Sequence, residues 1–486
     1  MLVNGEYAVK ELLFGNLHLL IVSSIVAAIT GIMAMSVVWW ALSQDAKRQI
    51  LCCRIFAALP FILAAVAFMA FSVNVPYDDD FNSIVAYLAH SWPERLKHLI
   101  DYNWEHRVGL TNLCAEIMVD VTGRVNFQWL AVVGLSFAIM VCALFWRRLR
   151  AHGAEGCFVA AAALWLLMAV ISDYFFWSMA SIQNNGVLFC VLLSLTILRS
   201  NWPTRRAGFV LAIFLAVVST YTSGNGMVLW PVMAGMLLMR RDCHRTIAEW
   251  CIFITVAIAS ILFYFHEPWV SQNAAGESFS IVRALAYFFT FAGAWTCLPG
   301  IALIAGVISC VMLAFLLLRV NKVKNPEILF FAGYILAVMS AGALFRSGQI
   351  VNALPPRHTE MSFALLVCLI TLALDEFNIA PSFKKWGVAV LCGYVVYVNV
   401  FSFVFFGNIW RDRVEIDRRN LLIRPITHEA LTCIHGPWHD NAIENLRKLE
   451  ERGVYNSLWT QKRGEIPPSA PIDPGDFWTP GRHVGK

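Results

Sequence analysis

Tyr77-Asp78-Asp79-Asp80-Phe81 puts three consecutive carboxylates into a chain that is otherwise overwhelmingly apolar. Glu105-His106-Arg107 follows a little further on and adds a carboxylate, an imidazole and a guanidinium. Carboxylates crowded at a low-dielectric boundary repel one another, which raises at least one pKa and suits a general base. Paired carboxylate oxygens would equally suit Mg²⁺ or Mn²⁺. Adjacent residues on a helix or strand point in different directions, so all three aspartates cannot enter one site. Asp78, Asp79 and Asp80 are therefore candidates to divide catalysis, metal binding and substrate contact among them, and the spacing leaves the division open. Two plainer readings stand beside this one. Asp80 has the side chain of a helix cap for a helix beginning at Phe81, and all three are suited to a solvated loop.

Glu105, His106 and Arg107 divide in the same way. They form either the polar start of a helix from Val108, with Glu105 at its dipole, or a set of substrate contacts. In the second case Arg107 would pair with a phosphate or carboxylate. Arg346-Ser347-Gly348-Gln349 and Pro355-Pro356-Arg357-His358 bracket a further loop. Arg346, Gln349, Arg357 and His358 read as a clamp for an anionic group, or the arginines simply snorkel to an interface. Asp173, Gln183, Asn184 and Asn225 are polar groups near the ends of apolar runs. An intramembrane carboxylate such as Asp173 usually faces a cavity. Gly224 and Gly226 have the makings of a tight turn between two spans. No phosphate-binding P-loop, GxGxxG, HExxH or GxSxG motif occurs, which argues against a soluble-type NTP-driven machine and a zinc protease.

The elements that must position these residues are membrane helices. The 486 residues are 59% hydrophobic and 14% charged, with mean hydropathy +0.63, whereas soluble domains carry about a quarter charged residues. Apolar runs long enough to cross a bilayer recur along the chain. They predict an all-α polytopic protein with about 12 transmembrane helices, at 13–42, 55–74, 127–146, 157–179, 183–198, 207–222, 227–239, 247–265, 299–318, 327–345, 360–378 and 386–406. The stretch 283–297 is too short to span and reads as interfacial or re-entrant.

Lys and Arg in alternate loops set the orientation. One set of loops holds seventeen and the other eight, the segment after 406 being left out. The richer set faces the cytoplasm. Both termini then face outward, as do the aspartate loop (75–126), the loop 266–298 and the loop from Arg346 to Arg357. Residues 1–406 form the transmembrane domain. Residues 407–486 form an outer, periplasmic tail rich in charge, Pro and Gly, with short helices expected at 410–424 and 437–452. Within the aspartate loop, Phe81, Ile84, Val85 and Leu88 recur at helical spacing, as do Leu96, Leu99 and Ile100, and Leu110, Leu113, Ile117 and Val121. These predict amphipathic helices lying on the membrane surface.

The net charge of +5 comes from basic residues in short loops and does not imply nucleic acid. Of thirteen cysteines, Cys142, Cys190, Cys251, Cys310, Cys368 and Cys392 fall inside apolar spans, and there is no CxxC. Neither an essential disulfide nor a zinc site is expected. The N-terminus lacks the pattern of a cleavable signal, so the first span is expected to stay in the membrane.

Asp79-Asp80-Phe81 in the first outer loop, with the downstream Asn-x-Glu-His-Arg from Asn103 to Arg107, resembles the GT-C superfamily of polytopic glycosyltransferases. Ser223-Gly224-Asn225-Gly226 to Trp230-Pro231, and Arg346-x-x-Gln349 with Arg357-His358, are similar to stretches in bacterial membrane proteins of that type. The chain differs in having His358 where a tyrosine is expected, and two spans ahead of the aspartate loop where many members have one. The resemblance implies transfer of a sugar from a polyprenyl-phosphate donor to a lipid or glycan acceptor, on the outer face of a bacterial inner membrane. It implies Asp79 or Asp80 as the base, Glu105 and His106 as acceptor or sugar contacts, and Arg107, Arg346 and Arg357 as phosphate contacts. Routes with and without Mg²⁺ or Mn²⁺ on Asp79 and Asp80 both stay open. Two other classes fit the composition: a lipid-linked-substrate transporter or flippase, and a non-catalytic scaffold. A transporter would place charged or helix-breaking residues at mid-membrane, whereas here no Lys or Arg falls inside an expected span.

Overall fold

The computed structural model describes residues 17–72, 74–103, 106–168, 177–200, 202, 204–239, 246–266, 280–296, 299–318, 323–346, 356–377, 379–421 and 441–456. The chain is an all-α polytopic membrane protein. By length and apolarity alone, eight helical stretches can cross a bilayer, and shorter apolar helices accompany them. One of the eight, Phe127–Leu167, is two helices broken at a tight turn where Gly153 has φ +70°.

The bundle starts with α1 (Leu17–Ala41) and α2 (Ala46–Phe71). The sequence placed 43–54 in a loop, but α2 begins at Ala46 because Asp45 caps it, its carboxylate accepting the N–H groups of Lys47 and Arg48 at 3.0 and 3.1 Å. Next come α3 (Ala86–Ala89), α4 (Trp92–His98), a two-residue hairpin of β1 (Tyr102–Asn103) and β2 (His106–Arg107), and α5 (Gly109–Thr122). The hairpin is antiparallel, pairing Tyr102 with Arg107 and Asn103 with His106. Then follow α6 (Phe127–Leu149), α7 (Gly153–Leu167), α8 (Ser178–Ser200), α9 (Arg205–Thr222), α10 (Leu229–Met239) and α11 (Ile247–Tyr264). The last group is α12 (Ile281–Ala292), α13 (Pro299–Leu317), α14 (Pro326–Arg346), α15 (Pro356–Glu376), α16 (Pro381–Leu421) and α17 (Ala442–Glu451).

Small residues set the closest crossings, as in membrane helices generally. A Cβ on Gly31 of α1 would meet the Gly393 carbonyl of α16 at 2.8 Å. A Cβ on Gly293 would meet the Ala302 carbonyl at 1.8 Å, so α12 folds back on α13 as an antiparallel hairpin with no room for a side chain. At 12 residues, α12 is about 18 Å long and cannot cross a bilayer core of about 30 Å by itself.

Two ends of the bundle are set by side-chain pairs. At one end Arg148 of α6 pairs with Glu327 of α14, and His152, Asn325 and Asp375 join α7, α14 and α15. At the other end lie the aspartate turn, the first residues of α6 and α8 and the last of α11. Arg346 ends α14 and Pro356 starts α15 at this second end, since the opposite ends of these helices meet at Asn325 and Asp375.

The tail differs from the sequence reading. No separate helix begins at 410. Instead α16 is one helix of 41 residues, about 62 Å long at 1.5 Å per residue, and it extends well past the expected span end at 406. Residues 441–456 then pack back onto the aspartate loop. Leu446, Leu449 and Tyr455 are fully buried with Phe81, Ile84, Val85 and Leu88. Val125 N–H donates to the Val454 carbonyl at 2.9 Å, and Tyr455 Oη to the Asn74 carbonyl at 3.0 Å. The apolar face of the first loop helix therefore faces protein, not membrane. Only α4 and α5 keep apolar residues outward, with Trp92, Leu96, Leu113, Ile117 and Val121 exposed.

Candidate functional site

Asp78–Asp80 form one 3-10 turn that runs without a break into a π turn, Phe81–Val85, and then α3. Asp80 is its centre and is completely buried. Its Oδ2 accepts the Tyr77 N–H at 3.0 Å, closing the turn, and its Oδ1 accepts the Met179 N–H at 2.9 Å. The Ser178 side chain lies close by, its hydroxyl donating to the Phe127 carbonyl. Met179 is the second residue of α8, where N–H groups lack intrahelical partners and the helix dipole favours a carboxylate. Asp80 thus caps a helix, as one sequence reading held, but the helix is α8, 99 residues away, and not its own. At its own helix it has helical φ and ψ of −57° and −31° and makes no side-chain cap bond. Burial pushes its carboxyl up to about 8, against the pull of the Tyr77 and Met179 N–H groups, and Asp79 adds to the rise.

Asp79 is half-buried beside it, and its carbonyl accepts the Ser83 hydroxyl at 2.7 Å. The side chain of Asp78 lies outside the described residues. The turn is held from below by Tyr77, whose ring meets Trp177 edge-on at 5.6 Å. Asn74 Oδ1 accepts the Phe127 N–H at 2.8 Å, and Ser178 Oγ donates to the Phe127 carbonyl at 2.9 Å. The starts of α6 and α8 are thereby fastened to the same loop.

Arg107 is nearly fully buried at 3% exposure. Its Nε and Nη2 donate to the Tyr264 carbonyl at 3.1 and 3.0 Å, and its Nη1 donates to the Ile100 carbonyl at 2.7 Å. The guanidinium lies 4.2 Å from the Tyr102 ring centroid. A cation on the last carbonyls of α11 complements the negative end of that helix. This geometry makes Arg107 the pin between the β1–β2 hairpin and α11, which is a different use from the phosphate contact expected of it. His106 is half-buried on β2 opposite Asn103. The helix expected from Val108 starts one residue later, so His106 and Arg107 belong to a strand.

Glu105, Gln349 and Asp173 lie outside the described residues, as do the side chains of Arg346, Arg357 and His358. The backbone does place 346 and 357 at the aspartate end of the packed pair α14 and α15. Gln183 is buried one turn below Met179 on α8. Asn225 belongs to a 3-10 turn, Gly224–Val228, and a Cβ on Gly226 would meet the Ser219 carbonyl at 2.0 Å. The glycines there do make a tight turn.

The donor set around Asp80 does not suit a cation. Both oxygens face backbone N–H groups. Among the described residues no group of three or more His, Cys, Asp or Glu side chains stands close enough to hold a metal ion.

Sequence reasoning missed the partners that organise the loop: Met179 for Asp80, Tyr264 for Arg107, and Tyr455 for Asn74. Each lies far away in the chain, and nothing local announces it. Thr246-x-x-Glu249 and Ser91-x-x-Glu94 do announce their capping boxes.

No family model matches the chain, and no curated protein matches it. Two solved structures share its fold: ArnT from Cupriavidus metallidurans in the apo state, and the same protein bound to undecaprenyl phosphate. Each aligns with a TM-score of 0.50 at 12% sequence identity, covering 82% of this chain and 88% of that one. The likeness is one of fold, over most of both chains.

Proposed function

We propose that this protein transfers a sugar from a polyprenyl-phosphate donor to an acceptor at the outer face of the membrane. The observation that carries the reading is the ArnT-like fold over 82% of the chain, in a neighbour whose structure holds undecaprenyl phosphate. The carboxylate-bearing turn at one end of the bundle supports it. So does the position of residues 346 and 357 at that same end.

Asp79 is the base in this reading. It is half-buried beside a fully buried neighbour whose oxygens are committed to α8. Asp80 is a positioning residue, since it ties the turn to the start of α8. The acceptor oxygen attacks the anomeric carbon and gives its proton to Asp79. The bond from that carbon to the phosphate oxygen breaks, and the phosphate leaves with the electron pair. Arg346 and Arg357 are assigned to the leaving charge, a role that preorganised cations perform well in a site that excludes water. Glu105, His106, Asp78, Gln349 and His358 remain substrate contacts by position alone. The protein is placed in the bacterial inner membrane with the aspartate end outward, on the strength of the loop-charge count.

The test supplies purified protein with polyprenyl-phosphate sugars and a crude acceptor glycolipid, with Asp79→Asn and Arg357→Ala alongside. Transfer by the wild type and none by Asp79→Asn supports the reading. Movement of substrate across vesicles with no transfer from any donor would overturn it in favour of a transporter.

A further inference from the structure

A second polar site lies at the end of the bundle opposite the aspartate turn. A pocket of about 410 Å³ opens between α7, α14, α15 and α16, lined by His152, Lys324, Asp375, Glu376, Phe377 and Lys384 among others. Most of its polar groups already hold one another. His152 Nε2 stands 2.7 Å from Asp375 Oδ1, and Asn325 Nδ2 donates to Asp375 Oδ2 at 2.5 Å. Lys324 Nζ donates to the Asp375 carbonyl at 2.9 Å, and the Lys324 N–H to Glu376 Oε1 at 2.8 Å. Among the described residues neither the ammonium of Lys384 nor the second oxygen of Glu376 has a hydrogen bond or ion pair within the protein. Both side chains are half-buried at the pocket wall.

The mouth is greasy. Phe377 stacks on Phe315 with centroids 6.2 Å apart, and Phe383 and Trp386 are exposed at 72% and 59%. An exposed Trp beside charged helix ends marks the level of lipid head groups. Basic pockets between transmembrane helices on the cytoplasmic side take anionic lipid head groups. Here the lining is balanced, with one free cation and one free anion.

We propose that this pocket binds the zwitterionic head group of a phospholipid of the phosphoethanolamine type. The phosphate sits on Lys384, the primary ammonium donates to Glu376, and the acyl chains lie over Phe377 and Phe383. An anionic head group would bring a net charge that the balanced lining does not offset. A phosphocholine has no N–H to donate to the carboxylate. This site is independent of the sugar-transfer chemistry at the other end.

The test is native mass spectrometry of the purified protein, titrated with phosphatidylethanolamine, phosphatidylcholine and phosphatidylglycerol of matched acyl chains. The ethanolamine lipid is expected to bind about tenfold more tightly than the other two, which is about 1.4 kcal/mol. Lys384→Ala and Glu376→Gln are each expected to remove that preference, and Lys384→Arg to keep it. Glycerol binding at or above ethanolamine overturns the proposal, as does unchanged preference in both variants. Soluble glycerophosphoethanolamine is expected not to displace the lipid at equal concentration. Equal displacement would show a soluble phosphate monoester or diester as the ligand and overturn the lipid assignment. Where a variant does not fold, the wild-type ranking of the three lipids decides alone.

Discussion

Asp80→Asn separates a brace from a reacting group. The substitution keeps the shape of the side chain but turns one acceptor oxygen into an NH₂ donor. One of the buried N–H groups of Tyr77 and Met179 then faces a donor in place of an acceptor. An unsatisfied buried donor costs about 1–3 kcal/mol. The variant should therefore be destabilised by roughly 1–3 kcal/mol, read as a lowered thermal unfolding midpoint of the detergent-purified protein. The pH dependence has a defined sign. The folded pKa stands at about 8 against an ordinary 3.8, so the folded chain holds a proton that the unfolded chain releases. The group's contribution is complete below the unfolded value and is lost as pH rises through about 8. The wild-type midpoint should decline across that window, and Asp80→Asn should lack this part of the decline. An Asp80→Asn midpoint equal to wild type at every pH, with transfer abolished, would refute the reasoning and make Asp80 the reacting carboxylate.

Three further substitutions test the packing around the site. Arg107→Ala strips the charged donor from the Ile100 and Tyr264 carbonyls, at about 1.5–3 kcal/mol per charged hydrogen bond. It should lower the midpoint, whereas a raised donor KM with an unchanged midpoint would return Arg107 to the phosphate. Leu446→Ala with Leu449→Ala removes two fully buried side chains, each worth about 2–5 kcal/mol. Limited proteolysis should then cut the segment 441–456 in the variant and spare it in the wild type. Gly293→Ala drives a methyl group into the Ala302 carbonyl and should sharply lower the yield of folded protein, while Gly387→Ala, with open space around it, should be neutral.

The helices were readable because their cause is local. Long apolar runs, and caps such as Asp45 and the Thr246–Glu249 box, act within a few residues. The three aspartates were readable as an anomaly of composition, and their place at one end of the bundle follows from the spans. The division of labour among them was not, because it depends on Met179 at the start of a helix 99 residues later. Arg107 shows the same limit, since its partners are the final carbonyls of α11. The tail shows a related limit. Charged residues after 406 looked like a loop start, yet the same α16 continues through them to Leu421 once it clears the bilayer. Beyond it, Leu446 and Leu449 have the helical spacing of an apolar face, but only the fold shows that the face covers Phe81 and Ile84.

The central claim is that Asp79 does the chemistry and Asp80 holds it in place. Asp79→Asn should leave the unfolding midpoint at the wild-type value and abolish sugar transfer from a polyprenyl-phosphate donor in the purified system. Transfer at wild-type rate by a well-folded Asp79→Asn protein would contradict the account.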